Sequence, residues 1–305
     1  MATESTIALL NTSDVSARRL SFAGYWALTK PEVNFLILIT TFTGFYLASV
    51  REPGNFPLVR VIYTLVGTLL VAGGTGALNQ FLERSFDAQM RRTARRPITS
   101  GRVAPLHALL YGLALSLGGA LFLAFFVNVL ASALSLVTLA SYLSIYTPLK
   151  RKTPLCTLVG AFPGAVPPLI GWAAARGRLD PEAWILYALV FLWQFPHFMA
   201  IAWMYRDDYA RAGYHVLPRG KWRERLVNLQ SAAVALILIP VSLIPAFTGR
   251  SDPSYSIETF VLGSMYFFYS VRFARWKSNT SARQLLTASI GYLPLIFILM
   301  ILGEQ

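Results

Sequence analysis

The sequence predicts an all-α fold, a polytopic transmembrane helical bundle of about nine spans. Hydrophobic residues make up 55% of the 305 positions and charged residues only 13%, about half the charged share of soluble proteins. The apolar residues form repeated runs close to the roughly 20 residues that cross about 30 Å of hydrocarbon. The basic residues lie between these runs. Together these three observations predict an integral membrane protein.

The spans are placed where apolar residues run on with few charges. Two neighbouring runs meet at Asn128, which we interpret as the break between two short spans. The predicted spans are 34–50, 59–82, 105–126, 129–147, 155–175, 183–204, 227–248, 257–271 and 285–302.

The distribution of Lys and Arg predicts the orientation. If the N-terminus is inside, 22 of the 27 basic residues lie in inside segments. Because Lys and Arg concentrate in cytoplasmic loops, we expect a cytoplasmic N-terminus, nine crossings and an outside C-terminus. This topology predicts a multi-pass protein of the cell (inner or plasma) membrane.

The domain organisation is simple. Residues 1–25 are predicted to be a polar tail: they include Glu4 and Asp14 and lack the long apolar core of a secretory signal. Residues 26–305 are predicted to form one intramembrane domain. Cys156 is the only cysteine, which excludes an intrachain disulfide.

A net charge of +13 is compatible with nucleic-acid binding. The basic residues, however, alternate with apolar spans and do not form one soluble stripe. We therefore expect no nucleic-acid partner. The expected partners are the lipid bilayer, through its anionic headgroups, and an anionic substrate.

Asn79, Glu83 and Asp87 follow each other at intervals of four residues where the second span ends. On a helix this spacing projects all three side chains from one face. Charged groups near the membrane interior are costly and often functional. The alternative is an ordinary interfacial helix end whose acids are solvated or paired with nearby arginines. A second acidic pair, Asp207 and Asp208, opens another inside loop and favours the functional interpretation.

Carboxylates beside arginines at one membrane face suit a magnesium-bound diphosphate. Magnesium usually keeps water ligands and binds through one or two carboxylates plus phosphate oxygens. Arginine can then hold the remaining phosphate oxygens with two parallel hydrogen bonds. We therefore expect a Mg²⁺-dependent diphosphate site at the predicted cytoplasmic side.

The stretch Asn79-Gln-Phe-Leu-Glu83-Arg-Ser-Phe-Asp87 resembles the Asn-xxx-Asp-xxx-Asp signature of the UbiA-type intramembrane prenyltransferases. Its continuation resembles the haem O synthase (protohaem IX farnesyltransferase) branch, and the resemblance covers roughly residues 26–302. Glu83 stands where the signature has its middle Asp, and Tyr205 and Tyr209 stand where many members carry acids. The further matching segments are Met90–Pro97, Gly101-Arg102, Leu28–Pro31, Tyr146–Lys150 with Thr153-Pro154, Pro167–Trp172, Trp193–Phe198 and Tyr205–Tyr209 with Ala212-Gly213.

This resemblance implies an enzyme, a prenyltransferase that joins the farnesyl group of farnesyl diphosphate to a vinyl group of protohaem IX. Water then completes a hydroxyethylfarnesyl side chain. The cofactor implied is Mg²⁺, and the implied downstream contact is haem A synthase or the assembly of cytochrome oxidase.

The resemblance also implies roles for particular residues. The catalytic and metal-holding candidates are Asn79, Glu83 and Asp87 with Asp207 or Asp208. The diphosphate-binding candidates are Arg92, Arg96, Arg102 and Lys150. The haem-binding candidates are His197, His215, Lys30, Arg151 and Lys152. For His197 the alternative is a histidine at a helix kink that is hydrogen-bonded to a neighbour.

Two other functions remain open from the sequence. A prenyltransferase of the same superfamily could use another acceptor, such as an aromatic acid, a quinone precursor or a chlorophyllide. A secondary transporter would also combine many spans with ionisable groups, but it carries them near the bilayer midplane. Here the acids cluster at one face beside arginines, which favours the diphosphate site.

Overall fold

The structure, a computed structural model, describes residues 22–50, 54, 56–217, 221–247 and 252–303. Every regular element in these ranges is helical, which confirms the predicted all-α class. Residues 1–21 of the predicted polar tail lie outside the described residues, and residues 22–25 begin the first helix.

We number the helices of the described ranges in chain order. They are α1 (Phe22–Leu28), α2 (Pro31–Ser49), α3 (Leu58–Asp87), α4 (Pro105–Phe126), α5 (Val129–Ser141), α6 (Cys156–Gly164), α7 (Pro167–Arg176), α8 (Pro181–Met204), α9 (Arg206–Arg211), α10 (Lys221–Phe247), α11 (Pro253–Trp276) and α12 (Asn279–Gly303). A π-helical turn, Tyr142–Tyr146, extends α5 to a last short turn, Thr147–Leu149.

Eight helical segments of the described chain are long and apolar enough to cross a membrane. They correspond to eight of the nine predicted spans. The remaining one, 257–271, falls within α11, which is less apolar. Its 24 residues are about 36 Å long, and it packs along both α10 and α12. Since only two residues separate α11 from α12 and the two helices pack along each other, they run antiparallel. That α11 crosses the membrane stays a prediction.

The outer face of the bundle is apolar, as a lipid-facing surface requires. On α4, Leu110, Leu117, Leu121 and Phe125 are all exposed. A soluble monomer rarely exposes an apolar patch of this kind. The chain is therefore an integral membrane protein.

The predicted break at Asn128 is confirmed. The Asn128 side chain accepts a hydrogen bond from the Ala131 N–H at 2.8 Å and so caps the start of α5. It also donates to the Ala173 carbonyl at 2.8 Å, which ties the α4–α5 connection to α7. The fifth predicted span is likewise broken, because α6 ends at Gly164 and α7 begins at Pro167.

Helix α7 lies directly against α2 because both carry glycine at the crossing. A methyl group added at Gly171 would overlap the Thr41 carbonyl oxygen, and one at Gly44 would overlap the Pro168 carbonyl oxygen. Small residues allow this close approach of backbones in membrane helices. The crossing fixes the first half of the bundle around α3.

The inside loops predicted from their charge come together at one end of the bundle. The loop after α3 meets the loop after α8, because the Arg92 N–H donates to Asp208. The end of α5 also reaches α3, where Lys150 bonds to Glu83. The shared end agrees with the charge count, while which side of the membrane it faces stays a prediction.

The opposite end of α8 carries a separate polar cluster. Asp180 accepts hydrogen bonds from Arg178 at 2.8 Å and from the Trp172 indole at 3.1 Å. The Arg178 and Trp172 hydrogen bonds hold the pKa of the Asp180 carboxyl below its ordinary value. This cluster joins α7 to α8 far from the acidic residues of α3.

Candidate active site

Asn79, Glu83 and Asp87 are buried at the end of α3. Their exposed fractions are 1%, 5% and 1%. The unbroken helix stacks them on one face as the spacing predicts, and the Asn79 amide donates to Glu83 Oε2 at 2.9 Å. Charged side chains are rarely buried this deeply unless they are paired. The three residues therefore face the protein interior, away from lipid and bulk water.

Each of these three residues has a basic partner from a different part of the chain. Lys30 Nζ donates to Asn79 Oδ1 at 2.7 Å. Lys150 Nζ lies 2.9 and 3.1 Å from the two Glu83 oxygens. Arg96 pairs with Asp87 Oδ2 at 2.6 Å. The partners are thus matched one to one along the helix face.

Lys30 reaches the site from the turn between α1 and α2. It has the left-handed backbone, φ 55°, which is uncommon for a residue with a side chain. The Gln80 amide donates to the Leu28 carbonyl at 3.1 Å, and the Asn34 amide donates to the Thr29 carbonyl at 2.8 Å. The first bond holds the turn against α3, and the second closes the turn onto α2. Burial, and then the positive charges nearby, lower the pKa of Lys30 to about 7.

Lys150 reaches the site from the last turn of α5. The π-helical turn precedes it, and such turns are frequent at functional sites. The ammonium lies 4.6 Å from the centre of the Tyr146 ring and 6.0 Å from that of Tyr142. Gly160 of α6 lies directly against the Tyr146 ring, which leaves no room there for a larger residue. The result is a cation enclosed by Glu83 and two aromatic faces.

The loop after α3 brings Arg92 and Arg96 to the same end. Thr93 Oγ1 donates to the Asp87 carbonyl at 2.8 Å and tightens the loop directly below the helix. Arg92 donates to the Tyr209 hydroxyl at 3.2 Å, and its guanidinium lies 4.6 Å from the Tyr205 ring centre. Tyr205 and Tyr209, which stand where the resemblance leads us to expect acids, therefore hold an arginine.

Asp208 and Asp207, adjacent in sequence, differ in their surroundings. Asp208 is buried, accepts the Arg92 backbone N–H at 3.1 Å and pairs with Arg211. The Asp207 side chain is 88% exposed, and its ion pair with Arg206 is long, at 4.0 Å between the nitrogen and the oxygen. The structure thus brings Asp208 into the cluster and leaves Asp207 outside it, where the sequence left both open.

Several predicted residues lie away from the buried cluster. Arg102 is exposed and folds back onto its own loop, donating to the Arg95 carbonyl at 2.7 Å. Arg151 and Lys152 are exposed next to Lys150, and Arg151 covers the Phe86 ring. The His215 backbone N–H donates to the Lys150 carbonyl at 2.7 Å. That bond places His215 at the edge of the cluster.

His197 lies between α8 and α12. Its Nδ1 is 2.8 Å from the Ser289 hydroxyl, and its ring stacks on Trp193 with centres 4.7 Å apart. Trp193 in turn donates to the Ser289 carbonyl at 2.8 Å. These contacts correspond to the alternative predicted for His197, a histidine hydrogen-bonded to a neighbour.

Two residues of the site were not identified as candidates from the sequence. The Tyr214 hydroxyl donates to Glu83 Oε1 at 2.9 Å, and the Asn79 amide lies 3.4 Å from the Thr147 hydroxyl. Thr147 sits inside a matched motif, so its presence there was the available signal. Tyr214 stands directly between the matched Gly213 and the candidate His215, and that position was the available signal.

The donor set fits a magnesium ion that is shared with substrate phosphates. All the candidate ligand atoms are oxygens, and Asp87 Oδ1 is buried without a hydrogen-bond partner among the described residues. Within the same residues, no group of three or more His, Cys, Asp or Glu could hold a metal alone. A magnesium ion that takes one or two carboxylates and completes its sphere with phosphate and water needs no such cage.

Comparison with known proteins agrees with this geometry. Residues 37–299, most of the chain, match the UbiA prenyltransferase family. The chain belongs to the UbiA prenyltransferase family. Among its relatives, a protoheme IX farnesyltransferase of Solibacter usitatus is 46% identical over 286 residues, which are 92% of this chain and 98% of that protein. Within the UbiA prenyltransferase family, the chain therefore falls among the protoheme IX farnesyltransferases.

Solved structures of other proteins share the fold. A digeranylgeranylglyceryl phosphate synthase superposes with a TM-score of 0.73 at 15% identity and covers 92% of this chain and 97% of its own. A UbiA homologue from Archaeoglobus fulgidus, bound to DMAPP and Mg²⁺, superposes with a TM-score of 0.64 at 14% identity, covering 91% and 99%. At these identities the likeness extends to the fold alone.

Proposed function

We propose that this chain transfers the farnesyl group of farnesyl diphosphate to a vinyl group of protohaem IX, producing haem O and diphosphate. One observation carries the proposal: a buried Asn–Glu–Asp face, each member with its own basic partner, in a chain 46% identical to a protoheme IX farnesyltransferase. The acids supply metal ligands, and the cations supply charge for an anionic leaving group.

Asn79, Glu83, Asp87 and Asp208 would hold Mg²⁺. The binding of a homologous fold to DMAPP and Mg²⁺ supports this cofactor. When bound, the metal stabilises the negative charge that develops on the departing diphosphate. The chain's own contribution is to fix these oxygens on the long helix α3 and the short helix α9 before substrate arrives.

Lys30, Lys150 and Arg96 surround the same face with positive charge. The allylic carbon–oxygen bond breaks, and the diphosphate leaves with the electron pair. These three side chains are close enough to the acids to share their hydrogen bonds with the leaving group as its charge grows. Such preorganised charges need little rearrangement during the reaction. Arg92 adds a planar fork that suits phosphate oxygens.

The rings of Tyr142 and Tyr146 adjoin this charge cluster and can stabilise an allylic cation through their faces. The vinyl π electrons of protohaem then form the new carbon–carbon bond. Water adds to the remaining vinyl carbon and releases a proton, which leaves a hydroxyethylfarnesyl side chain. Lys30, which the resemblance assigned to haem, bonds to Asn79 and so joins the diphosphate side. His215, Arg151 and Lys152 are the remaining candidates for the haem side, while His197 would contact haem only from the α8–α12 interface.

The bacterial relatives support a plasma-membrane location. We place the site on the cytoplasmic side because of the basic loops around it. The product would pass to haem A synthase or to the assembly of cytochrome oxidase.

The test uses the purified full chain in detergent with farnesyl diphosphate, Mg²⁺ and protohaem, followed by mass spectrometry of the haem. We expect haem O, and none when EDTA replaces Mg²⁺. Prenylation of an added aromatic acid or chlorophyllide, with protohaem unchanged, would refute the acceptor. Substrate uptake into vesicles without any prenylated product would favour the transporter.

A further inference from the structure

The Glu83 carboxylate is held by three donors that come from three parts of the chain. The Asn79 amide bonds to Oε2, Lys150 bonds to both oxygens, and the Tyr214 hydroxyl donates to Oε1 at 2.9 Å. Asn79 and Lys150 are themselves candidates for binding metal or diphosphate. Asn79 and Tyr214 are the neutral donors of the set, so they can fix the carboxylate without cancelling its charge, and of these two only Tyr214 is not itself a candidate metal ligand.

Tyr214 is placed by its backbone on both sides. Gly213 has the left-handed backbone, φ 70°, at the turn after α9. The Tyr214 N–H then donates to the Tyr209 carbonyl at 2.9 Å, and the next N–H, that of His215, donates to the Lys150 carbonyl at 2.7 Å. The ring packs against Phe86 with centres 5.9 Å apart. The hydroxyl is therefore delivered to Glu83 from a fixed position.

Glu83 needs such a partner more than the aspartates do. Its side chain has one more rotatable bond than that of Asp87 or Asp208, so more rotamers must be excluded when it binds. Each aspartate pairs with an arginine of its own neighbourhood.

We propose that Tyr214 is a positioning residue that holds the longer Glu83 carboxylate in the geometry of a metal ligand. This inference rests on the proposed function, because it requires a divalent cation and a diphosphate at this face. Its contribution would be to metal binding. It would touch neither farnesyl nor haem.

The experiment measures Mn²⁺ binding by electron paramagnetic resonance, with inorganic diphosphate as the probe and the purified full chain in detergent. Tyr214→Phe removes the hydroxyl and keeps the ring. Tyr187→Phe is the matched control, because it also removes one hydroxyl bond, to the Phe162 carbonyl, in another part of the bundle. We expect the dissociation constant of Mn²⁺ to be about ten-fold higher for Tyr214→Phe, which is the usual effect of losing a hydrogen bond to a charged group. Tyr187→Phe should match the unmodified chain.

A double-mutant cycle separates positioning from a general structural effect. Glu83→Asp shortens the carboxylate beyond the reach of the Tyr214 hydroxyl, so adding Tyr214→Phe to it should change Mn²⁺ affinity by less than two-fold. An equal loss in both backgrounds, or unchanged Mn²⁺ affinity in Tyr214→Phe, would overturn the inference. If the cycle behaves as expected but no farnesylated haem forms, Tyr214 keeps its role and the proposed acceptor fails. If the unmodified chain binds no Mn²⁺ with diphosphate, both ideas fail.

Discussion

Asp207 and Asp208 provide a test in which neighbouring residues of the same type should behave differently. Asp208 is buried and holds the loop after α3 through the Arg92 N–H at 3.1 Å, whereas the Asp207 side chain is 88% exposed. We therefore compare Asp208→Asn with Asp207→Asn. Both changes remove one negative charge and almost no volume.

The expected size of the effect follows from the contacts. Hydrogen bonds to a charged group contribute about 1.5–3 kcal/mol each. Asparagine keeps one acceptor oxygen, so Asp208→Asn should lose about 2–3 kcal/mol of interaction free energy. That loss corresponds to roughly a 30- to 150-fold fall in kcat/KM. An exposed ion pair contributes little, so Asp207→Asn should change kcat/KM by less than about two-fold.

The assay is the initial rate of haem O formation from farnesyl diphosphate and protohaem at saturating Mg²⁺. The thermal unfolding midpoint of each variant checks that it is folded. The reasoning is refuted if Asp207→Asn is as damaging as Asp208→Asn, or if Asp208→Asn keeps more than half of the unmodified rate.

Three further predictions concern the site, the helix packing and pH. Lys150→Met should raise the KM for farnesyl diphosphate about ten-fold or more, because a buried cation is removed from the site. Lys152 is an exposed neighbour, so Lys152→Met should change this KM less than two-fold. Initial rates over a series of substrate concentrations measure both values, and equal effects would contradict the prediction. Gly171→Ala should lower the free energy of unfolding by about 3 kcal/mol because the added methyl group overlaps α2. At Gly118 an added methyl group meets open space, so Gly118→Ala should raise the free energy of unfolding slightly. Denaturant unfolding in mixed micelles measures both values. Asp180→Asn should lower the free energy of unfolding by about 1–2 kcal/mol at pH 7. Because the pKa of Asp180 is lowered in the folded chain, this difference should shrink as pH falls below the ordinary Asp pKa of about 4. A difference that stays constant down to pH 3 would show that the charge is not responsible.

Much of the fold was predictable because the bilayer imposes simple rules. Span length predicted nine spans, and eight of them correspond to helices that are long and apolar enough to cross a membrane. The Lys and Arg distribution grouped the inside loops on one face, and Asn128 was correctly identified as a break. The weak point was α11, whose central apolar run is short. The helix packs against α10 and α12, and its polar Thr259 and Ser270 are fully buried, so its burial does not depend on high hydropathy.

The site was predictable in part. The four-residue spacing of Asn79, Glu83 and Asp87 places them on one helix face whatever surrounds them, so the sequence alone was sufficient. The choice between Asp207 and Asp208 depends on the direction in which the short helix α9 presents each side chain, which is set by contacts with Arg92. Such contacts join loops more than 100 residues apart and leave no local pattern.

The partners of the acids were the least predictable feature. Lys30 needs a left-handed turn before Pro31, and Tyr214 needs one at Gly213. The first turn is tied to the distant α3 by the Gln80 side-chain amide, and the second is tied to Lys150 by the His215 backbone N–H. A sequence analysis can name such residues as candidates, but it cannot pair each of them with a particular carboxylate or amide.

The central claim is that the acidic face of α3, with Asp208, holds a divalent cation on a diphosphate. The most direct measurement is anomalous diffraction from crystals of the full chain grown with Mn²⁺ and a non-ionising thiolodiphosphate analogue of farnesyl diphosphate. The account predicts manganese peaks bridging the analogue to Asp87 and its neighbours on that face. Manganese bound elsewhere, with the analogue in contact only with Lys and Arg, would contradict it.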